Sequence, residues 1–275
     1  MNAASGSPGT GAVTMGPGVL HAKAAAARFT LSRYPPPAGL EPFVDFCWVI
    51  RWDLSGQPPH EQAILPHPNV NLAFEAKGAA VFGVDTKIFT RRLSGQGKAL
   101  GVRFRPGGFR PFYGKPVFTL NDRVVPAHRI LGEGADQACA LVMADTAGDD
   151  AMIEAAAALL RGARPAEDPV AGQVAELTAL ITREQGLYRV AQLAEVSGLP
   201  ARRLQRMFAE YVGVSPKWVM RRARLHEAAL RAEAAGPAAV NWAALAAELG
   251  YSDQAHLTRD FTDTIGVPPT RYASG

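Results

Sequence analysis

The chain has 275 residues, of which 48% are hydrophobic and 20% are charged. This is the composition of a globular protein long enough for two domains, and it excludes disorder throughout. The formal net charge of +4 is too small to indicate nucleic-acid binding by itself, so the local distribution of charge has to decide.

The first 28 residues predict a flexible tail, because they are rich in Gly, Ser and Ala and lack the basic start and apolar core of a signal peptide. The chain has no apolar run of about 18 residues, so we expect no membrane segment. Cys47 and Cys139 lie 92 residues apart without CxxC spacing. This spacing predicts neither a disulfide framework nor structural zinc, and it favours a cytoplasmic protein.

Residues 29–165 predict a compact β-rich, barrel-like domain. Short apolar stretches such as "FVDFCWVI", "VNLAF" and "ALGVRF" alternate with Pro and Gly. Two stretches with helical spacing, "DQACALVMAD" and "DAMIEAAAALLRGARP", predict helices that close this domain. If the barrel encloses a pocket, its aromatic residues favour an uncharged or weakly polar small molecule over a metal.

Other features of this half carry weaker signals. His60 and His67 fit no metal-ligand spacing, so we expect no metal. The glycine pair of "FRPGGFRPF" suits a tight turn from strand to helix better than an anion-binding nest. No arrangement of Ser, His and Asp or of Cys and His indicates catalysis, and no cofactor motif is present, so we expect a protein that is not an enzyme.

The proline-rich stretch at 162–169 predicts a boundary, beyond which residues 171–275 are helical. This half contains the same pattern twice: an apolar helix ("VAQLAEV", "WAALAAEL"), a turn with Gly, and a second helix that ends at "GV-P". The matched residues are offset by 52 positions before the turn and by 53 after it. Each unit is a predicted helix-turn-helix.

The second helix of each unit has one apolar and one polar face. In the first unit, Leu204, Met207 and Phe208 face the core while Arg202 and Arg206 point away. In the second unit, Leu257 and Phe261 face inward and the opposite face carries Arg, Gln, His and Thr. These are the side chains that contact base edges and phosphates in a major groove.

On these residues the chain resembles the AraC/XylS family of bacterial transcription regulators, especially in "LAAELGYSDQAHLTRDF…IGVPPTRY". The resemblance implies that one long helix, "PKWVMRRARLHEAALRAEA", joins the two units, and that each unit inserts its second helix into the major groove. It implies base contacts from Arg202, Gln205 and Arg206 in the first unit and from Gln254, His256 and Arg259 in the second. Where members of the family commonly place Ser, this chain has Pro200, which offers neither a capping hydroxyl nor a backbone N–H.

Residues 202–224 contain seven basic side chains and one acidic side chain, Glu210. We therefore expect a basic face that contacts the DNA backbone, with Arg221 and Arg222 on the linking helix. The alternative for Arg206 and Arg259 is a structural ion pair with Glu210 and Asp263, four residues on. His256 is alternatively a solvated surface residue. We expect Trp218 and Trp242 to be core anchors.

Together these features predict an α+β protein with a β-rich N-terminal sensor domain and an all-α domain of two helix-turn-helix units joined by a long helix. The stretch "GVRFRPGGFRPFYGKPVFTLNDRVV" also resembles the sensor region of a subset of this family. The resemblance implies a transcription regulator that binds double-stranded DNA, activates by contacting RNA polymerase, takes a small-molecule effector, and acts as a monomer or homodimer. Two alternatives remain open: a DNA-repair or other enzyme fused to a DNA-binding domain, and a protein-interaction module.

Overall fold

The computed structural model describes residues 25–163, 165–166, 168–184, 186–235 and 240–273. Residues 1–24 of the predicted tail lie outside this range. The remaining part of that segment begins with Ala25, which is buried in a small apolar cluster with Phe29 and Leu31. None of the described helices is long and apolar enough to cross a membrane.

The N-terminal half is built on strands, as predicted. Those described are β1 (Thr30–Tyr34), β2 (Val44–Leu54), β3 (His60–Ile64), β4 (Asn71–Glu75), β5 (Gly78–Phe82), β6 (Phe89–Leu93), β7 (Gly95–Phe104) and β8 (Val124–Pro126). Six of them form one sheet in the order β1-β2-β7-β4-β5-β8, and β3 pairs with β6 as a separate two-stranded sheet. Each pairing is antiparallel. The two sheets are open, so they approximate the barrel that the sequence suggests without closing it.

The two faces of the large sheet have different neighbours because side chains alternate along each strand. On β2, Cys47 and Val49 belong to the main hydrophobic core together with Met152 and Ala156. Their neighbours on the same strand, including Phe46 and Trp48, line a cavity on the opposite face. One face of the sheet thus supports the helices and the other forms a pocket.

The chain leaves β7 through the predicted tight turn and enters the helices that cover the sheet. Gly107 has a φ of +85° and Gly108 packs so closely that an added Cβ would lie 2.2 Å from the Phe43 carbonyl oxygen. A side chain cannot be accommodated there, which explains the glycine pair. The helices that follow are α1 (Arg110–Tyr113), α2 (His128–Leu131), α3 (Gly134–Met143) and α4 (Asp149–Gly162), with a 3-10 turn at Val117–Leu120. The two predicted closing helices are α3 and α4.

The C-terminal half is helical, which confirms the predicted fold class. Its helices are α5 (Pro169–Arg183), α6 (Val190–Ser197), α7 (Ala201–Met207), α8 (Pro216–Ala235), α9 (Trp242–Glu248), α10 (Gln254–Ile265) and α11 (Pro269–Tyr272). A π-helical turn, Phe208–Val212, extends α7. Helix α8 is the long helix expected between the two units.

The two halves share their hydrophobic cores. The main core runs without a break from the sheet through α3 and α4 to Leu204, Phe208 and Val219. A second core surrounds α9 and α10 and takes in Leu65 from the segment after β3. Apolar contacts on both faces of α8 therefore join residues before and after the boundary predicted at 162–169. That boundary stays a prediction.

Candidate DNA-binding surface and a cavity in the sheet domain

Both predicted helix-turn-helix units form. In the first, α6 ends at Gly198, whose left-handed φ of 66° turns the chain towards α7. In the second, Gly250 has a φ of 72° between α9 and α10. A residue with a side chain is strained at such a φ, and at Gly250 an added Cβ would also lie 2.3 Å from the Tyr188 ring. The turns therefore depend on these glycines.

The second helix of the first unit, α7, presents the expected polar face. Leu204 and Met207 are buried, whereas Arg202, Gln205 and Arg206 are exposed. Pro200 precedes the helix and provides no side-chain cap. The Arg203 N–H donates to the Pro200 carbonyl at 2.8 Å, which leaves the N–H groups of Ala201 and Arg202 to another acceptor.

The second helix of the second unit, α10, is capped at its N-terminus by the side chain of the preceding residue, Asp253. Asp253 accepts a hydrogen bond of 2.7 Å from the backbone N–H of His256. Gln254 and Arg259 are exposed. His256 is half-buried, with Nδ1 3.2 Å from Ser252 Oγ and its ring edge-on to Tyr251. These contacts orient the imidazole, so it is not simply a solvated side chain.

The alternative ion pairs do not form among the described residues. Glu210 accepts a 3.1 Å hydrogen bond from Arg110 of the sheet domain instead of pairing with Arg206. Arg259 and Asp263 likewise share no ion pair in the part of the chain that the structure describes. Both arginines are therefore available to a partner on the polar faces of α7 and α10.

The expectation that Arg222 contacts the DNA backbone is contradicted by its position. Its side chain is buried at the contact between the two halves, where Nε donates to the Pro66 carbonyl at 2.8 Å. Its Nη2 also hydrogen-bonds His67. A phosphate cannot reach this guanidinium, because the helical period turns it towards the protein.

Two further basic side chains of the linking helix are engaged within the protein. Arg221 pairs with Asp260 at 3.1 Å, and the Arg224 guanidinium lies 4.4 Å from the centre of the Tyr251 ring. The basic face predicted for residues 202–224 is therefore smaller than the residue count suggests. Its exposed members are Arg202, Arg203, Arg206 and Lys217.

The tryptophans behave as anchors. Trp242 is 7% exposed within the second core, and Trp218 packs against the main core. His67, a weak metal candidate in the sequence, lies between two arginines: Arg222 on one side and Arg103 Nη2 at 3.2 Å on the other. Two cations at hydrogen-bond distance leave an imidazole poorly placed to bind a metal ion.

A cavity of about 220 Å³ opens between the large sheet and the two-stranded β3–β6 sheet. Its floor is aromatic, because the Trp48 and Trp52 rings lie flat on Gly101 and Gly97 of β7. An added Cβ at these glycines would lie 2.0 and 2.3 Å from the indoles. The pocket predicted from the aromatic pattern rested on six residues: Phe46, Trp48, Trp52 and Phe82 line this cavity, whereas Phe43 and Phe74 lie in the main core.

Several charged side chains in this cavity were missed, and two of them are arginines beside His67. Arg33 of β1 and Arg103 of β7 line it beside His67. The missed signal is alternation: in "TLSRY" Arg33 is two residues after the cavity-lining Leu31, and in "ALGVRF" Arg103 is two residues after Gly101. The lining is therefore charged at this end, and the uncharged or weakly polar ligand stays a prediction.

Comparisons with known proteins match the two halves separately. Residues 193–275 match the family described as a helix-turn-helix domain. Residues 32–126 match a domain of unknown function (DUF6597). A protein from Haemophilus influenzae, described as an uncharacterized HTH-type transcriptional regulator, is 27% identical over 96 residues, or 35% of this chain. The aligned part is 31% of that relative's length.

Among solved structures, ToxT from Vibrio cholerae is similar at 9% identity with a TM-score of 0.38, over 90% of this chain and 98% of ToxT. A second ToxT structure, from Vibrio cholerae O395, gives 8% identity and a TM-score of 0.36, over 90% of this chain and 96% of that one.

Proposed function

From the AraC-type helix-turn-helix domain that residues 193–275 form, we propose that this chain is a sequence-specific DNA-binding transcription regulator. The observation that carries the proposal is the pair of units. Each has a second helix with one face buried in a core and the other exposed, with arginine and glutamine side chains that form no ion pair among the described residues. A lone unit is weak evidence, whereas a tandem pair offers two recognition helices to one duplex.

The proposed base contacts come from Arg202, Gln205 and Arg206 on α7 and from Gln254, His256 and Arg259 on α10. Arginine recognises guanine and glutamine recognises adenine through paired hydrogen bonds in the major groove. Phosphate contacts would come from Arg203 and Lys217, and from Arg221 once it leaves Asp260. Arg222 is not among them.

A mobility-shift assay with the DNA upstream of the chain's own gene tests the proposal. A shift that survives excess scrambled duplex supports sequence-specific binding. A protein-interaction module would shift neither duplex, and that result would overturn the proposal. The same assay with the double variant Arg206→Ala and Arg259→Ala in place of the wild type provides the control. Both side chains are exposed, so their loss should remove the specific shift without disturbing the cores.

One chain carries both recognition helices, so we infer that a single copy covers two successive major-groove segments, about 34 Å apart. The site should then be asymmetric and about two turns long. A footprint that requires a strict palindrome, with each chain on one half-site, would contradict this.

We propose further that the sheet domain senses a small molecule or mediates assembly, and that the regulator acts in the cytoplasm as an activator through contact with RNA polymerase. Transcription in a purified system, with and without the protein, distinguishes activation from repression. The rival of an enzyme fused to a DNA-binding domain would need a reactive group. Both cysteines are buried and free, and burial raises the pKa of the Cys47 thiol to about 12, which disfavours a nucleophilic thiolate.

A further inference from the structure

The cavity of the sheet domain is unevenly charged along its length. Asn71, Ala73 and Glu75 of β4 line it in turn, and Asn71 lies opposite Arg103 in the strand pairing. Four residues of strand separate Asn71 from Glu75, or roughly 13 Å. At the Glu75 end, the carboxylate is already paired with Arg91. At the Arg103 end, positive charge is in excess.

Three guanidinium groups meet at that end with little negative charge. Arg103 donates to Asn69 Oδ1 at 2.7 Å and to His67, and its Nε lies 3.5 Å from Asp45, whose carboxylate is 44% exposed. Arg222 reaches the same imidazole from the linking helix.

Arg33 is the least compensated of the three. It makes no hydrogen bond or ion pair with any described residue, its Nε is buried, and its guanidinium lies 4.7 Å above the Phe46 ring. The Asp45 carboxylate acts on both Arg33 and Arg103, but it is 44% exposed. One exposed carboxylate beside these guanidinium groups leaves positive charge in excess, which is unfavourable where the groups are partly buried. The cavity wall at this end therefore has an excess of positive charge that an anionic ligand would offset.

The lining also includes Asp85 and Gln62, but between its charged groups the cavity wall is largely apolar and aromatic. Trp48 and Trp52 form its floor, and Ile50, Phe82 and Phe89 continue the lining. Glycine at 97 and 101 is what allows the two indoles to lie against the strand. A preformed apolar pocket with a few convergent polar groups is typical of small-molecule sites.

We propose that this cavity binds a small organic monoacid as its carboxylate, with the acid group between Arg33 and Arg103 and the apolar body on Trp48 and Trp52. The assignment gives the chemical class of the effector in the proposed function. Only its regulatory consequence rests on that proposed function. The volume of about 220 Å³ suits a body of phenylalkyl size.

The position of His67 links the site to the DNA-binding half. Arg103 and Arg222 share this imidazole, and the two guanidinium groups repel each other. A carboxylate at Arg103 offsets that repulsion, so it stabilises the packing of α8 against the sheet domain. Ligand affinity and the docking of α8 are then coupled, and the coupling is reciprocal.

The test compares 4-phenylbutyrate with its neutral analogue 4-phenylbutanamide on the full-length protein, measured by quenching of tryptophan fluorescence. Charge-assisted bonds to buried arginine predict that the acid binds at least about 10-fold more tightly than the amide. Arg33→Gln should reduce this preference to about 3-fold or less. Arg92→Gln is the matched control, since Arg92 neighbours the cavity-lining Arg91 but is exposed, and it should retain the preference.

Binding of the amide to Arg33→Gln with wild-type affinity shows that the variant is folded. Equal affinities of acid and amide for the wild type would overturn the proposal. So would an acid preference that survives Arg33→Gln, or the absence of saturable quenching by either probe up to about 5 mM. The DNA assay is a separate test. A protein that prefers the acid but shifts no DNA would support the anion site and contradict the proposed function. A protein that shifts DNA but does not prefer the acid would support the proposed function and contradict the anion site.

Discussion

Arg259 is an exposed side chain on the polar face of α10 with no ion-pair partner among the described residues. Such an arginine can read a base, so Arg259→Ala should cost about 1 to 3 kcal/mol on the cognate site and little on scrambled DNA. Salt titrations of both duplexes measure the two effects. Asp263→Ala is the control, because it should change neither affinity by more than a small electrostatic amount. Equal weakening on both duplexes would make Arg259 a phosphate contact instead.

Gly101 explains how the cavity floor is built. An added Cβ would lie 2.0 Å from the Trp48 indole, so Gly101→Ala must displace the ring or the strand. Overpacking of this kind typically costs about 1 to 3 kcal/mol. We expect a lower urea midpoint and a changed near-ultraviolet tryptophan signal. Gly172→Ala is a suitable control, since Gly172 is exposed within α5 and has no atom within 4 Å of an added Cβ; an equal loss of stability there would contradict the argument.

Single residues were predicted unevenly from the sequence, for a physical reason. The outward positions of Arg202, Arg206 and Arg259 follow from helical period alone. The role of Arg222 was predicted wrongly. The helical period indicates only that its side chain points away from one core, and in the structure this side chain contacts a second surface, the segment at Pro66 and His67. Contacts between distant parts of the chain leave no local pattern.

Among the elements, the two recognition helices differ in how they begin. Asp253 caps α10, and the hydrogen bond from the His256 backbone holds the pKa of this carboxyl below its usual value. A lowered pKa means that the stabilisation is present above the unfolded value, about 4, and is lost as the pH falls through the folded one.

Asp253→Ala should therefore lower the melting temperature of the protein at neutral pH, and Asp253→Asn should largely retain it, because asparagine still offers a capping oxygen. Pro200→Ser at the start of α7 provides the reciprocal change, since it adds a hydroxyl where none exists. Thermal denaturation at neutral pH compares the three. If asparagine proved as harmful as alanine, the charge and not the cap would be the cause.

The elements themselves were largely predictable. The tandem units, the long helix between them and the two helices α3 and α4 follow from apolar spacing and from glycine at the turns. The π-helical turn at the end of α7 was not anticipated. It lies where Asn121 donates to the Gly213 carbonyl at 2.7 Å and Arg110 binds Glu210, both contacts from the other half of the chain.

At the scale of the whole molecule, two half-buried histidines, His67 and His226, make the packing of the halves sensitive to acid. Burial, followed by Arg222 and Arg103, holds the pKa of His67 well below its ordinary value, and burial and Arg222 lower the pKa of His226 to about 4. Each is neutral when folded. Their contribution is fully present above the unfolded pKa of about 6.5 and is lost as the pH falls from there towards 4.

Urea midpoints should consequently decrease between about pH 6.5 and pH 4, before most carboxylates titrate. The urea midpoint of the double variant His67→Gln and His226→Gln should depend less on pH, because glutamine accepts hydrogen bonds without gaining a proton. An unchanged slope in the double variant would assign the acid sensitivity to other groups.

Helix α8 contributes Val219 and Met220 to the core shared with the sheet and Leu225 and Ala228 to the core of the second unit. Regulators of this layout invite the construction of chimaeras, in which one sensor is exchanged for another at the apparent boundary. Here a cut at 162–169 would expose the main core and would separate Leu65 and Arg222 from the residues they contact. A graft of residues 169–275 onto a foreign sensor should accordingly aggregate unless it carries its own equivalent of the segment around Leu65 to His67, so a working exchange has to include the contacts made by both faces of α8.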